Sequence, residues 1–360
     1  MQLSMFRSSE REVAKEDMDA LFAHQRPKRV PNGTMWYAGN FAVRNSGQDI
    51  GDVFEKPKVI YDAILWSADQ YQWNPYLQFV DFSVLGCLDF GGTMTYPRKN
   101  GEYLAQERYP VTEASAIEKL RLPDPRTTGD IPRQLQFAAI QKDAGLPVGF
   151  MSRSPFCMAA NMCGMTLFMT WLIEEPDLIR QLMDLAYQHI LQTLEVWVSS
   201  FGAENLQVWW TTPMESNQLV SPKHVESFAL PYLIKYGRHI REIGIKQFGI
   251  HPCGDQNKNL PILAEADPWM HPAIISFGPE VDIIHAGKVF PEDIIFGNVD
   301  TVLMEKGSPE EIYSTCSDLL EKGKRIEGGF ILAPGCDPPV FTPPTNMYAM
   351  TKAVADHGVY

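Results

Sequence analysis

Basic residues are in short supply in this chain, and that shortage is the first limit on what it does. Lys and Arg number 31 against 44 Asp and Glu over 360 residues, a formal net charge of −13. Phosphate backbones are held by clustered Lys and Arg, so a broad nucleic-acid-binding surface is excluded, although a small basic pocket for an anionic substrate is not. Cysteine is sparse too, at positions 87, 157, 163, 253, 316 and 336. Irregular spacing in so long a chain argues against a disulfide framework and for a reducing, cytoplasmic compartment. The opening stretch MQLSMFRSSEREVAKEDMDALF is charged and has no apolar secretory core. Also missing are a Gly-x-Gly-x-x-Gly after an early strand, a Walker loop, a His-Glu-x-x-His pair and a Gly-x-Ser-x-Gly elbow, as are internal repeats.

One long uncharged run needs a membrane check. PFCMAANMCGMTLFMTWLI, residues 155–173, is about as long as the roughly 20 residues that a spanning helix requires. Pro155 opens it, Asn161, Thr166 and Thr170 interrupt it, and no basic flank follows, so it reads as a buried interior segment with no membrane role. Met158, Met162, Met165 and Met169 recur within it at helical spacing, as an apolar stripe does.

What is present is a rhythm. Residues 1–54 read as an N-terminal extension, a charged helix followed by RPKRVPNGTMWYAGN, which contributes to the substrate pocket. From residue 55 to 360 short apolar strands alternate with amphipathic helices. Strands are expected at 146–150, 206–210, 245–250, 273–277, 293–297 and 328–332, and helices near 176–200, 222–243, 309–324 and 343–357. Ser308-Pro309-Glu310-Glu311 has the form of a capping box, and Ser221-Pro222 repeats its first half. Such alternation implies a parallel α/β sheet, which a closed barrel and an open doubly wound sheet both satisfy.

The chemistry is concentrated in two places. IKQFGI runs into His251-Pro252-Cys253-Gly254, and GGFIL runs into Ala333-Pro334-Gly335-Cys336-Asp337. In a parallel barrel, residues just past the strand ends line the rim where active sites are built. His251 and Cys253 would share one strand end and Cys336 would close the triangle from another. Three nitrogen and sulfur donors suit Zn²⁺ and leave the open position of a catalytic site. Taken by itself, His-x-Cys is more often two packed residues than a metal site.

Longer stretches carry a family resemblance: LRLPDP (120–125), SRSPFCMAANMCG (152–164), SPKHVESFALPYL (221–233), GNVDT (297–301) and LLEKGKRIEGGFILAPGCDPPVFTPPTNMYAM (319–350). With these the chain resembles the uroporphyrinogen decarboxylase superfamily from about residue 55 to 357. His-x-Cys-Gly with a cysteine after Ala-Pro-Gly is similar to the zinc pattern of its cobalamin-dependent methyltransferases. The resemblance implies a (β/α)8 TIM barrel behind the N-terminal helical and loop extension, and zinc held by His251, Cys253 and Cys336. It also implies a methyl group exchanged with a corrinoid (cobalamin) carried by a partner protein. The Pro-x-Trp-x-Met-Arg-Gln-Ala-Gly-Arg signature of the metal-free decarboxylases is absent, which counts against decarboxylation.

Several residues are candidates around that centre. Glu280, in SFGPEVD, is a possible fourth zinc ligand, its alternative being a solvated loop carboxylate; Asp255 and Asp337 flank the ligands as potential orienting groups. Trp36 and Trp210 stand out from an aromatic-rich set as partners for a flat substrate, and Arg153 as a cation for a substrate carboxylate. These features favour demethylation of an O-methylated, aromatic donor such as a methoxybenzoate. The rival readings are a methylcobamide:thiol transferase of the coenzyme M type, a decarboxylase, and a non-catalytic zinc-stabilised binding protein. The oligomeric state is left open, a homodimer among the options.

Overall fold

The computed structural model describes residues 8–34, 39–77, 85–102 and 104–360. A small antiparallel ribbon, β1 (Thr93–Thr95) and β2 (Ala105–Arg108), lies apart from the main sheet. The main sheet runs β3 (Val148–Arg153), β4 (Leu206–Thr211), β5 (Gln247–His251), β6 (Ile274–Ser276), β7 (Ile294–Val299) and β8 (Phe330–Pro334). All neighbours are parallel and the spatial order equals the sequence order. A doubly wound sheet reverses its strand order part-way; this one never does, and that is the winding of a (β/α)8 barrel. On the far side of β8 the chain pairs again, through a parallel bridge between Asn32 and Leu332. The segment expected as an extension is thus joined to β8 at Asn32.

Side chains alternate across each strand, and register decides which ones share the barrel interior. Trp209 lies opposite Met151 on one side and Gly249 on the other. With Ile274, Ile294, Phe296, Ile331 and Ala333 these fill the centre, joined by Leu77 and by Met18 and Leu21 of the helix Ser8–Phe22. A Cβ on Gly249 would stand 2.5 Å from the Trp209 ring, so glycine is required there to admit the indole. The first helix closes the N-terminal end of this plug; Leu21 touches the chain at Gly329, where β8 begins. Strands buried on both faces explain why the apolar runs of β4, β7 and β8 are continuous.

The uncharged run folds as two helices, Pro155–Cys163 and Met165–Glu174, bent by 115° at Gly164. No single helix among the described residues is long and apolar enough to cross a membrane. The bend breaks the methionine stripe: Met158 and Met162 are buried while Met165 is 44% exposed. Ser308 forms its capping box as expected. Ser221 does not cap its helix; its hydroxyl lies 3.2 Å from His224 Nδ1, and the next five residues, Val225–Ala229, form a π-helical turn.

At the start of β6 an imidazole is clamped between two carboxylates. His271 lies 2.8 Å from Asp293 and 2.6 Å from Asp267, and buried Asp293 also accepts from Trp269 Nε1 and Ala273 N. The bond to Asp293 is the main cause lifting His271 from its ordinary 6.5 to about 9. A raised imidazole contributes its stability fully below pH 6.5 and loses it as pH rises through about 9. Thermal unfolding of the native protein and His271→Asn should show a gap at pH 6 that closes by pH 10; a gap independent of pH would remove the clamp from the stability of β6.

Candidate metal centre

Strand register builds the mouth of the barrel. Arg153 pairs with Thr211, and Thr211 with His251, so the last inward residues of β3, β4 and β5 form one row above the Trp209 layer. After His251 the chain continues through Pro252 to Cys253, and after β8 it brings Cys336 to the same place. The donor atoms of His251, Cys253 and Cys336 all lie within 4.8 Å of one another, and this is the one such cluster among the described residues. Tetrahedral zinc with bonds of about 2.0–2.3 Å spaces its ligand atoms roughly 3.5–3.8 Å apart. A contraction of about 1 Å at most brings this nitrogen and two sulfurs to that spacing, so the donor set fits the ion.

The orientation of His251 is fixed by β6. Its Nδ1 is 3.1 Å from the carbonyl oxygen of Ser276 and 3.1 Å from the Ser276 hydroxyl. A carbonyl only accepts, so Nδ1 carries the proton and Nε2 is the nitrogen with a lone pair for a metal. The two thiols are hydrogen-bonded to each other. Cys253 is lowered because Cys336 hydrogen-bonds to it, and Cys336 is raised by the same bond together with burial. Arg153 lowers Cys253 further, whereas Glu280 opposes it, so both charges act directly on this thiol. Arg153 forms no ion pair among the described residues, and its Nε is buried without a hydrogen-bond partner.

The sequence matches the family described as Uroporphyrinogen decarboxylase (URO-D) over residues 14–357. The chain belongs to the URO-D family. A solved structure titled "methyltransferase from Methanosarcina mazei" superposes with a TM-score of 0.78 at 20% identity, covering 96% of this chain and 98% of that one. At that identity the likeness establishes the shared fold. No curated protein sequence matches the chain.

Within this URO-D barrel the other expected residues separate. Glu280 is exposed and stands outside the cluster of three donors, although close enough to act on Cys253. Trp210 is not in the mouth. Inward and outward positions alternate, Trp209 takes the inward one, and Trp210 is buried against Tyr236 of the helix Leu230–Glu242, with ring centroids 4.4 Å apart. Trp36 lies outside the described residues. Asp255 does not orient a ligand; its carboxylate accepts from Asn257 in a local turn. Burial pushes the Asp337 carboxyl well above the usual carboxylate range.

Three contributors escaped the sequence reading. Ser276 is one, and a small polar residue within the apolar run AIISF was the available signal. Gln256 and Asn259 are the others, loop amides that are 1% and 0% exposed. Cys157 is buried but polar in its contacts, with its thiol 3.2 Å from Glu215 Oε2. Burial pushes Glu215 up to about 7, partly offset by the Ser154 hydroxyl and the Cys157 thiol. A raised carboxyl favours folding below pH 4.5 and that contribution is lost as pH rises through about 7. Glu215→Gln should therefore flatten the stability profile across that interval, by on the order of 3 kcal/mol. Denaturant titrations at pH 5 and 8 check it, and parallel profiles would contradict it.

Proposed function

We propose that this URO-D protein is a zinc-dependent methyltransferase. It takes a methyl group from an O-methylated, aromatic substrate and passes it to the cobalt of a corrinoid held by a partner protein. The observation that carries the reading is the convergence of His251, Cys253 and Cys336 at the C-terminal mouth of the barrel. Those three side chains would hold the ion, with His251 presented through Nε2. Bound there, zinc supplies Lewis acidity toward a substrate oxygen or sulfur.

The chain's own groups account for the rest. Arg153 places a guanidinium with no ion pair among the described residues beside Cys253, where a substrate carboxylate is oriented by a charge-assisted bond. The plugged interior below the row keeps the substrate at the rim, with its methyl group toward the open face. Transfer to a corrinoid acceptor would break the carbon–oxygen bond with its electron pair left on oxygen, and a proton from solvent would complete the phenol. A donor set of one imidazole and two thiols is a poor match for decarboxylation, which calls for no such centre. The Methanosarcina mazei neighbour, titled a methyltransferase, supports the same class.

Elemental analysis of protein purified without chelators should find about one zinc per chain, and Cys336→Ser should reduce methyl transfer from methoxybenzoate to cob(I)alamin by more than about a hundredfold. Near-normal turnover in that variant would remove the metal assignment, and methylation of thiols in place of ether cleavage would reverse the direction. Arg153→Met should raise KM for a carboxylated methyl ether by roughly 10–100-fold and leave a neutral one unchanged. Equal effects on both substrates would take Arg153 out of carboxylate recognition.

A further inference from the structure

The loop that carries Cys253 is held by an amide chain buried deeper than the ligand itself. Gln256 Nε2 donates to the Cys253 carbonyl at 2.8 Å. Asn259 Nδ2 donates to Gln256 Oε1 at 2.8 Å and to the Glu215 carbonyl at 2.8 Å, while Asn259 Oδ1 accepts from Asn217 Nδ2 at 2.9 Å. The bonds thus run without a gap from the β4 loop to the backbone of a metal-ligating residue. Two further bonds tie the same loops together, Asn217 N to the Asp255 carbonyl at 2.7 Å and the Ser216 hydroxyl to that carbonyl at 3.3 Å.

Gly254 supplies the geometry that this arrangement needs. Its φ of +70° turns the chain straight after Cys253, and a Cβ there would stand 2.8 Å from the Ser216 hydroxyl. The sharp turn brings Gln256 back under the Cys253 carbonyl. Cysteine, unlike histidine, has no second ring nitrogen for a neighbour to hold, so beyond the bonds that Gly254 N–H and Cys336 make to its sulfur, Cys253 is aimed through its backbone. Burying two primary amides is costly unless each is satisfied, and apolar residues would fill this loop at lower cost to stability. Here every bond ends on the loops that frame the metal centre.

We propose that Gln256, locked in place by Asn259, is the positioning residue that aims Cys253 at the metal, the counterpart of Ser276 for His251. This rests on the metal-centre reading above. It predicts that the amide chain sets affinity and ligand geometry and is not confined to supporting the fold.

The test uses Co²⁺ as a spectroscopic probe on the metal-free full-length protein, with thermal unfolding of each apo form as the check on folding. Gln256→Met keeps the length and removes the hydrogen bonds. It should weaken Co²⁺ binding by roughly 10–100-fold and alter the thiolate-to-cobalt charge-transfer band. Asn259→Ser, a milder change that unlocks Gln256 without removing it, should give a smaller loss with the same spectral direction, and it carries the test if Gln256→Met does not fold. Affinities within about threefold of the native value, with an unchanged spectrum, would overturn the proposal even if both variants melt earlier. Failure of the native protein itself to bind Co²⁺ would overturn the metal-centre reading together with it.

Discussion

The parallel register of β3, β4 and β5 is the constraint on which the rest of this molecule depends. Pairing Arg153 with Thr211 and Thr211 with His251 brings a cation, a hydroxyl and an imidazole to one height on one face. A slip of one residue would turn His251 outward among the helices. The register is held from below, where the Trp209 indole occupies the space that Gly249 leaves open. A packing decision in the core thus sets the geometry of the chemistry above it.

The candidate metal ligands meet the same need for orientation by different means. His251 is fixed through a ring nitrogen by Ser276, and Cys253 through its carbonyl by Gln256. The neighbouring loop after β6 is tied down from inside, where Asn298 donates to the Gly278 and Val281 carbonyls at 2.8 and 2.7 Å. That places Glu280 at the rim without giving it a ligand's position. The negative formal charge of the protein is not uniform in effect at this point, because Arg153 works on Cys253 in the opposite sense to Glu280. A cation with no ion pair among the described residues, beside a thiol whose pKa is lowered, is an unusual pairing in an acidic chain.

Much of the fold was legible in the sequence because parallel strands buried on both faces leave continuous apolar runs, and all six expected strands lie within a few residues of the observed ones. The cluster of His251, Cys253 and Cys336 was legible in part for the same reason: each follows an apolar run directly, and the family resemblance singled the three out. Sequence did not separate Trp209 from Trp210, since adjacent residues in an all-buried strand carry no polarity contrast to mark inside from outside. It did not mark Gln256 and Asn259, because the burial of a loop amide depends on what a distant loop packs over it. The pairing of Asn32 with β8 was hidden because it is a single bridge, too short for any periodicity.

The plug of Trp209, Ile274, Ile294 and Ile331, sealed at one end by Met18 and Leu21, makes the barrel a cup with no drain. Among the described residues the interior below Arg153, Thr211 and His251 is filled, so a small molecule that reached that row would enter and leave by the same face. Access to the row is thereby set by the packing of residues that lie beneath it.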